Sequence, residues 1–298
     1  MAEPKGKLVL KPGVICGYME NLNFSADRES MQLSQVNCSG QELEQLAKCA
    51  EEIKDVTEID FSNNGLGDVT ALKDIPRLIT LNLSNNRIKN MAVFATEEAF
   101  MNLKWLDISN NKFNEWPGFK CPKLDYLNIS GNKLEKVNEG WTGHPTLRTL
   151  CAVDNKFKNL NNFKALPNLE ELYLQANLIV QFNGWEGGLP KLKRLNLRRN
   201  KIANIDDELP ELPELEWLNL RHNAIENLQV CFKVFTFAPK IVDINIINNP
   251  CDQSCTSFNL LMAEFLVKKP SLTRFCKTRV TERHQLEAVH LGHYKWDV

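Results

Sequence analysis

One eleven-residue pattern, L-x-x-L-x-L-x-x-N-x-L, recurs nine times in this chain of 298 residues. Its first copy uses Val56, Ile59, Phe61, Asn64 and Leu66, and successive copies start 21 to 26 residues apart. The asparagines of the nine copies are Asn64, Asn86, Asn111, Asn132, Asn155, Asn177, Asn200, Asn223 and Asn249. A fixed period of this length indicates a repeat architecture in which each unit packs on its neighbours.

Each position of the pattern has a physical role. The L-x-L pair predicts a short strand whose alternate side chains point inward, and the asparagine amide can bond backbone groups that stacking would bury. Stacked units then cover one another's apolar faces. The pattern is that of leucine-rich repeats. It predicts an α/β solenoid with a curved parallel sheet on its concave face, short helical or 3-10 return segments on its convex face, and helical caps at both ends.

The repeats divide the chain into four parts. Residues 1–30 form an N-terminal arm, 31–55 an N-terminal cap, 56–252 the nine repeats, and 253–298 a C-terminal cap and tail. The N-terminal cap combines a degenerate repeat (Met31, Leu33, Val36, Cys38) with a predicted helix carrying Leu43, Leu46, Ala47 and Ala50. The C-terminal cap contains a predicted helix with Phe258, Leu261, Met262, Phe265 and Leu266 on one face.

The residues between the core leucines face outward and form the candidate binding surface. Four of them are large aromatics, and charge is segregated: Glu58, Asp60 and Asp107 come early, whereas arginines dominate later. Aromatic and arginine side chains are enriched in interface hot spots. The predicted partner-binding residues are Trp105, Tyr126, Tyr173, Arg194, Arg198, Trp217 and Arg221. The competing interpretation is that the aromatics brace neighbouring repeats and that the charges are only solvated.

Composition excludes several classes of partner. The formal net charge is −1, which does not favour nucleic acid or an anionic membrane, and acidic residues at 206–208 lie beside the basic cluster. The sequence contains no apolar run long enough to span a bilayer and no signal-peptide core. The nine cysteines are odd in number, and the Asn-x-Ser triplets at Asn82 and Asn128 fall in predicted strands. These features favour a reducing, cytoplasmic location.

No catalytic signature is present, and no cofactor is expected. The chain lacks a phosphate-binding glycine loop, a metalloprotease helix motif and a serine nucleophile elbow. Cys251, Cys255, Cys276, His290 and His293 are the best metal candidates, but their spacing is not a usual zinc pattern. No metal site is therefore predicted, and the sequence indicates a protein that is not an enzyme.

Two resemblances refine this interpretation. Prolines shortly before several strands, as in Ile75-Pro76-Arg77-Leu78, and the final Val280-Thr281-Glu282-Arg283 resemble the Sds22-like class of phosphatase regulators. The Leu195-Asn196-Leu197-Arg198 and Leu218-Asn219-Leu220-Arg221 runs, followed by Asn249-Pro250-Cys251, resemble the leucine-rich-repeat proteins of ciliary radial spokes. That resemblance implies a structural component of the axoneme, in the cilium or flagellum, whose partners are other radial-spoke subunits.

The chain departs from the spoke proteins in one respect, because it ends without their Glu-rich helical tail. A contact made through such a tail cannot be carried over. The alternative is an Sds22-like adaptor that binds a protein phosphatase or an axonemal dynein. A nuclear protein resembling the spliceosomal repeat protein is a third possibility, which the near-neutral charge does not favour.

Overall fold

In the computed structural model, the described residues are 56–295 without 117, 140, 162, 183–184, 186–187, 206–208, 210 and 253–257, together with the backbone of four earlier strands. The chain divides into unit 1, Met1–Cys151, and unit 2, Ala152–Val298. The strands of unit 1 are β1 (Leu8–Leu10), β2 (Met19–Phe24), β3 (Met31–Asn37), β4 (Leu43–Leu46), β5 (Glu58–Asp60), β6 (Thr80–Asn82), β7 (Trp105–Asp107), β8 (Tyr126–Asn128) and β9 (Thr149–Cys151). Those of unit 2 are β10 (Glu171–Tyr173), β11 (Gln181–Phe182), β12 (Arg194–Asn196), β13 (Asn204–Ile205), β14 (Trp217–Asn219), β15 (Asp243–Asn245), β16 (Arg274–Phe275) and β17 (Thr278–Arg279).

Helices are few among the described residues. The α-helices are α1 (Leu228–Phe232), α2 (Val234–Phe237), α3 (Phe258–Lys268) and α4 (Glu282–Lys295). Single 3-10 turns occupy Thr70–Asp74, Ala92–Ala95 and Pro250–Asp252. None of the described helices combines the length and apolarity that crossing a membrane requires.

The strands of unit 1 form a sheet in the order β2, β3, β5, β6, β7, β8, β9. All neighbours are parallel except β2 and β3, which are antiparallel. Val36 of β3 pairs with Ile59 of β5, so the degenerate repeat continues the register of the repeats that follow. Strands β1 and β4 form a separate parallel pair.

Unit 2 repeats the same construction. Strands β10, β12, β14 and β15 are parallel neighbours in one register, β16 extends them in parallel, and β17 closes the edge antiparallel to β16. On the return side, β11 pairs in parallel with β13. Helix α3 packs against α4 and buries Leu261, Met262, Phe265 and Leu266 of the apolar face predicted for the C-terminal cap, whereas Phe258, at the first position of the helix, is 39% exposed.

The strands form where they do because the central residue of each three-residue strand belongs to the core. Leu81, Leu106, Leu172 and Leu195 have no exposed surface. The strands of all nine predicted copies are observed, and the leucine-rich-repeat solenoid is therefore confirmed as the fold class.

The asparagine at the ninth position of the pattern bonds buried backbone groups, as predicted, and these groups belong to consecutive repeats. Asn86 donates through Nδ2 to the carbonyls of Phe61 (2.9 Å) and Leu83 (3.0 Å), and its Oδ1 accepts from the Leu66 amide (3.0 Å). Asn200 makes the same three kinds of bond in unit 2. Because water cannot reach these buried backbone groups, each asparagine side chain provides the hydrogen-bond partners that they would otherwise lack. We call this series of bonds the asparagine ladder.

Three expectations about helices need correction. The helix predicted over Leu43–Ala50 is wrong for its first part, since Leu43–Leu46 is a strand paired with Leu8–Leu10, a distant segment that local periodicity cannot reveal. Ala47 and Ala50 lie outside the described residues. Return segments are less helical than expected, with turns replacing helices in most repeats. The tail expected after the cap instead contains the fourteen-residue helix α4.

Candidate functional site

The outward positions of the sheet align into columns because neighbouring strands share one register. In unit 1 the first column includes Trp105 paired with Tyr126. In unit 2 the corresponding column runs Glu171, Arg194, Trp217, Asp243 and Arg274. The columns thus determine which predicted binding residues can contact one another.

Trp105 and Tyr126 form a stacked pair on unit 1. Their ring centroids are 5.2 Å apart and the ring planes differ by 6°. The Cys151 thiol lies 3.8 Å from the Tyr126 hydroxyl, one strand further along. Both rings are half-buried, so each covers part of the other while leaving one side exposed. The sequence did not distinguish bracing from binding, and the geometry of this pair is compatible with both.

The acidic residues of unit 1 are engaged by the backbone. Asp60 accepts a hydrogen bond from the Ser62 amide (2.9 Å), and Asp107 accepts one from the Ser109 amide (2.8 Å). Asp107 also accepts from Nδ2 of Asn128 at 2.9 Å. Such short-range bonds fix the turn that leaves each strand. The early acidic charges therefore have a structural role in addition to any contact with a partner.

Arg194, Glu171, Tyr173 and Trp217 form a connected group on unit 2. The Arg194 guanidinium lies 4.8 Å from the centre of the Trp217 ring, and its Nε is 3.9 Å from a Glu171 carboxylate oxygen. The Tyr173 hydroxyl donates to the other Glu171 oxygen at 2.9 Å. Burial, followed by the hydrogen bond and charge of Glu171, raises the pKa of Tyr173. Three of the predicted binding residues are thus brought together by a glutamate that was not among them.

Arg198 and Arg221 lie in another outward column, together with Gln175. Each residue of this column comes two positions after the end of its strand, at Tyr173, Asn196 or Asn219. The Ala176 amide donates to the Arg198 carbonyl (2.8 Å), and the Arg199 amide donates to the Arg221 carbonyl (2.9 Å). Nε of each arginine and Oε1 of Gln175 are buried without a hydrogen-bond partner in the described chain. We call Gln175, Arg198 and Arg221 the arginine column.

Two titratable groups report on the electrostatics near the arginine column. Partial burial, and then the positive charges of Arg221, Arg198 and Arg199, lower the pKa of His222. On β15, burial raises the pKa of Asp243, although Arg274 and Arg194 act in the opposite direction. The field beside His222 is therefore positive, whereas the first column carries the acidic Asp243.

Sequence reasoning missed the roles of Glu171, Gln175 and Asp243. Glu171 precedes Arg194 by one repeat at the same pattern position, so aligning the repeats in columns predicts their contact. Ser62, Ser84 and Ser109 occupy in unit 1 the repeat position that Arg198 and Arg221 occupy in unit 2, and the structure buries these serines to 4%, 9% and 7% exposure. A small side chain at a strand end can be covered by the adjacent turn, which the pattern alone does not show.

The cysteine chemistry is that of a packed interior. Burial raises the pKa of the Cys121 and Cys276 thiols to about 12, so both remain protonated near neutral pH. Cys231 and Cys251 share a hydrogen bond between their thiols. Within the part of the chain that the structure describes, no three side chains are grouped as metal ligands. Cys255 and the side chains of His290 and His293 lie outside that part.

Comparison with protein-family models bears on the repeats directly. Residues 167–225 match the model "Leucine rich repeat", and residues 102–140 match "Leucine Rich repeats (2 copies)". These segments are leucine-rich repeats. Proteins built from such repeats generally act as protein-binding scaffolds.

Curated relatives share only part of their length with this chain. Toll-like receptor 2 type-2 of Gallus gallus is 34% identical over 139 residues, which cover 44% of this chain and 17% of the receptor. Tsukushi of Gallus gallus is 32% identical over 128 residues, covering 40% of this chain and 34% of that protein. The matched region therefore spans about a sixth to a third of these relatives.

Solved structures agree on the fold. The TLR13–ssRNA13 complex matches with a TM-score of 0.65 at 19% identity, covering 82% of this chain and 38% of that one. The LRIM1/APL1C complex matches with a TM-score of 0.58 at 16% identity, covering 84% and 47%. At these identities the likeness concerns the fold alone.

Proposed function

We propose that this chain is a non-catalytic protein-binding scaffold and that it serves as a structural component of ciliary radial spokes. The observation that carries the binding role is the cluster of outward aromatic and arginine side chains on unit 2, with Trp217 and Tyr173 half-buried beside Arg194. Large rigid rings next to arginine give a partner apolar area and directional hydrogen bonding at a small entropic cost.

The assignment to radial spokes is supported by sequence. The runs Leu195–Arg198 and Leu218–Arg221, together with Asn249-Pro250-Cys251, resemble the radial-spoke leucine-rich-repeat proteins. Two arginines of these runs, Arg198 and Arg221, belong to the arginine column. The alternative Sds22-like adaptor, which would bind a phosphatase or an axonemal dynein, is supported by the Val280-Thr281-Glu282-Arg283 resemblance.

Mass spectrometry of proteins that co-purify with the tagged chain from detergent-extracted cilia tests the proposal. We expect radial-spoke subunits to be recovered from the wild-type chain. The Trp105→Ala/Trp217→Ala double variant should lose them, because it removes one anchor ring from each unit. A thermal melt of that variant must show that both units remain folded.

Other outcomes redirect the assignment. Recovery of a phosphatase from the soluble fraction, without axonemal retention, would support the adaptor instead. Retention of spoke subunits by a folded double variant would place the interface elsewhere on the chain. A double variant that unfolds would identify the rings as structural, and Trp217→Phe would then test the binding role with less loss of packing.

A further inference from the structure

The arginine column places two guanidinium groups at adjacent strand ends. Asn196 of β12 pairs with Asn219 of β14, and Arg198 and Arg221 each follow two residues later. The backbones are held in step there, because Asn196 Oδ1 accepts from the Arg198 amide and Asn219 Oδ1 from the Arg221 amide, at 3.2 and 3.1 Å. Neighbouring strands are about 4.8 Å apart, so the two side chains originate at about that spacing.

Neither guanidinium has a counter-ion among the described residues. No carboxylate forms an ion pair with Arg198 or Arg221 among the residues that the structure describes, and each Nε is buried without an acceptor. Arg194 differs, because it is engaged by Glu171 and by the Trp217 ring. Two like charges held half-buried at adjacent positions oppose folding, and an anion that spans both would relieve that cost.

The surrounding groups support a concentrated positive field at this point. Arg199 is exposed and lies immediately after Arg198. Partial burial, and then the positive charges of Arg221, Arg198 and Arg199, lower the pKa of His222, which directly follows Arg221 in the chain. Nδ2 of Asn248 contacts the His222 ring at 3.1 Å and is its neutral neighbour on the following repeat. These three neighbours, Arg199, His222 and Asn248, thus add no negative charge beside the two arginines.

The positive field is also narrow. Glu171 and Asp243 lie in the first column, at the opposite ends of the strands from the arginines, and Glu170, Glu214 and Glu216 lie in the segments that lead into these strands. A polyanion such as RNA would bring phosphates over these carboxylates as well as over the arginines. A protein segment with two discrete carboxylates avoids that repulsion. The charge pattern therefore favours a protein partner over a nucleic acid.

We propose that Arg198 and Arg221 bind two carboxylates of a partner helix that carries glutamates four residues apart. Side chains at that helical spacing have Cβ atoms about 5–6 Å apart, which matches the spacing of the two arginines. Each guanidinium can donate two hydrogen bonds to one carboxylate, while Trp217, on the strand that precedes Arg221, offers apolar surface to the helix. This inference rests on the proposed protein-binding function and specifies its partner chemistry.

Fluorescence anisotropy with the purified full chain and labelled peptides tests the inference. The probe is a fifteen-residue alanine-based helical peptide with three glutamates, each four residues from the next. One matched peptide replaces glutamate by glutamine, and another keeps the glutamates but spaces them two residues apart. At low ionic strength, we expect the first peptide to bind about tenfold more tightly than either control.

Variants of the chain make the test specific. Arg198→Gln/Arg221→Gln should abolish the preference for the first peptide, since glutamine keeps part of the aliphatic stem and removes the charge. Arg199→Asn is the control: it also removes a neighbouring positive charge, and asparagine tolerates the left-handed backbone at this position (φ 56°). It should keep the affinity within about twofold. If the glutamine double variant unfolds, Arg198→Lys/Arg221→Lys, which keeps the charges but loses the paired donors, should still weaken binding.

Several outcomes would overturn the inference. Equal affinity for the glutamine peptide would show that the two arginines do not recognise carboxylates. An equal loss of affinity in Arg199→Asn would show that the peptide responds only to the general positive charge of this surface. Displacement of the peptide by a thirteen-nucleotide single-stranded RNA at lower concentration would assign the column to nucleic acid. Spoke subunits retained equally by the wild type and by Arg198→Gln/Arg221→Gln would refute the inference while preserving the proposed function. A wild type that binds the peptide but recovers no spoke subunits would refute the assignment to radial spokes while preserving the inference.

Discussion

Units 1 and 2 use the same repeat position in opposite ways. Where unit 1 carries Ser62, Ser84 and Ser109, buried at the ends of their strands, unit 2 carries Gln175, Arg198 and Arg221 with buried polar atoms that lack partners in the described chain. The first column shows a similar contrast. Unit 1 stacks Trp105 on Tyr126, whereas unit 2 places Arg194 over Trp217.

The difference separates what holds the repeats together from what they present to a partner. In unit 1 the outward polar groups named above satisfy one another, as Asp107, Asn128 and Ser109 do. Unit 2 keeps the asparagine ladder, as at Asn200. Its outward arginines, Arg198 and Arg221, have buried Nε atoms that find no hydrogen-bond partner in the described chain. A repeat protein can therefore specialise one set of repeats for binding without altering the core that all of them share.

The largest expected effect tests whether the asparagine ladder is common to both units. Asn111→Ala in unit 1 and Asn200→Ala in unit 2 each leave a buried amide and two buried carbonyls without the side-chain partner. Each should lower the free energy of unfolding by about 2–4 kcal/mol in urea denaturation. Asn259→Ala, an exposed position on α3, is the control and should change it by less than about 0.5 kcal/mol.

Equal costs for the two asparagines would support a shared scaffold. A cost at Asn200 far below that at Asn111 would instead mean that unit 2 does not depend on its ladder, and the contrast between the units would then extend to their cores.

A smaller effect should distinguish the two aromatic contacts. Double-mutant cycles on Trp105–Tyr126 and on Arg194–Trp217, each with alanine, should give coupling energies of about 1 kcal/mol for the stacked pair and about 0.5–1 kcal/mol for the cation–π pair. Only the second coupling should decrease when the salt concentration is raised to about 1 M, because it involves a charge. Equal salt sensitivity in both cycles would contradict this distinction.

The smallest effects concern two histidines whose pKa values are both lowered by burial, with an additional contribution from arginine charges only at His222. His144 in unit 1 is 3% exposed, contacts the Cys121 carbonyl through Nε2 at 2.9 Å, and has a pKa lowered by burial. The unfolded chain therefore takes up a proton at His144 before the folded chain does. Its contribution to stability is complete above about pH 6.5 and declines as the pH falls toward the lower folded value.

Urea unfolding from pH 7.5 to 5.0 measures this contribution, and His144→Gln should reduce the pH dependence. His222 provides the comparison by NMR titration: added salt or Arg221→Gln should raise its pKa toward the ordinary value by weakening arginine repulsion. The pKa of His144 should not respond to Arg221→Gln. A common response of both histidines would remove the electrostatic contrast between the units.

The sequence predicts the repeated part of this molecule well and its exceptions poorly. Position and register of the strands follow from leucine and asparagine spacing, since each repeat imposes the same burial on the next. Leu43–Leu46 is different: its apolar residues suit a helix locally, but pairing with Leu8–Leu10 is a long-range choice. The candidate site falls between these cases. Its residues were predicted from the sequence. The bond from Tyr173 to Glu171, and the absence of carboxylate partners for Arg198 and Arg221 among the described residues, depend on side-chain positions that a pattern cannot specify.

The asparagine ladder also bears on how a chain like this can grow in evolution. Asn86 bonds to Phe61 and Leu66, and Asn200 to Leu174 and Ile179, so each amide completes the backbone of the preceding repeat. In these bonds between repeats, donor and acceptor are about one repeat length apart. Tandem duplication of one whole period, beginning at any point within it, therefore reproduces both halves of the contact. New outward residues can then diverge on the added copy while its junctions with the older ones remain intact.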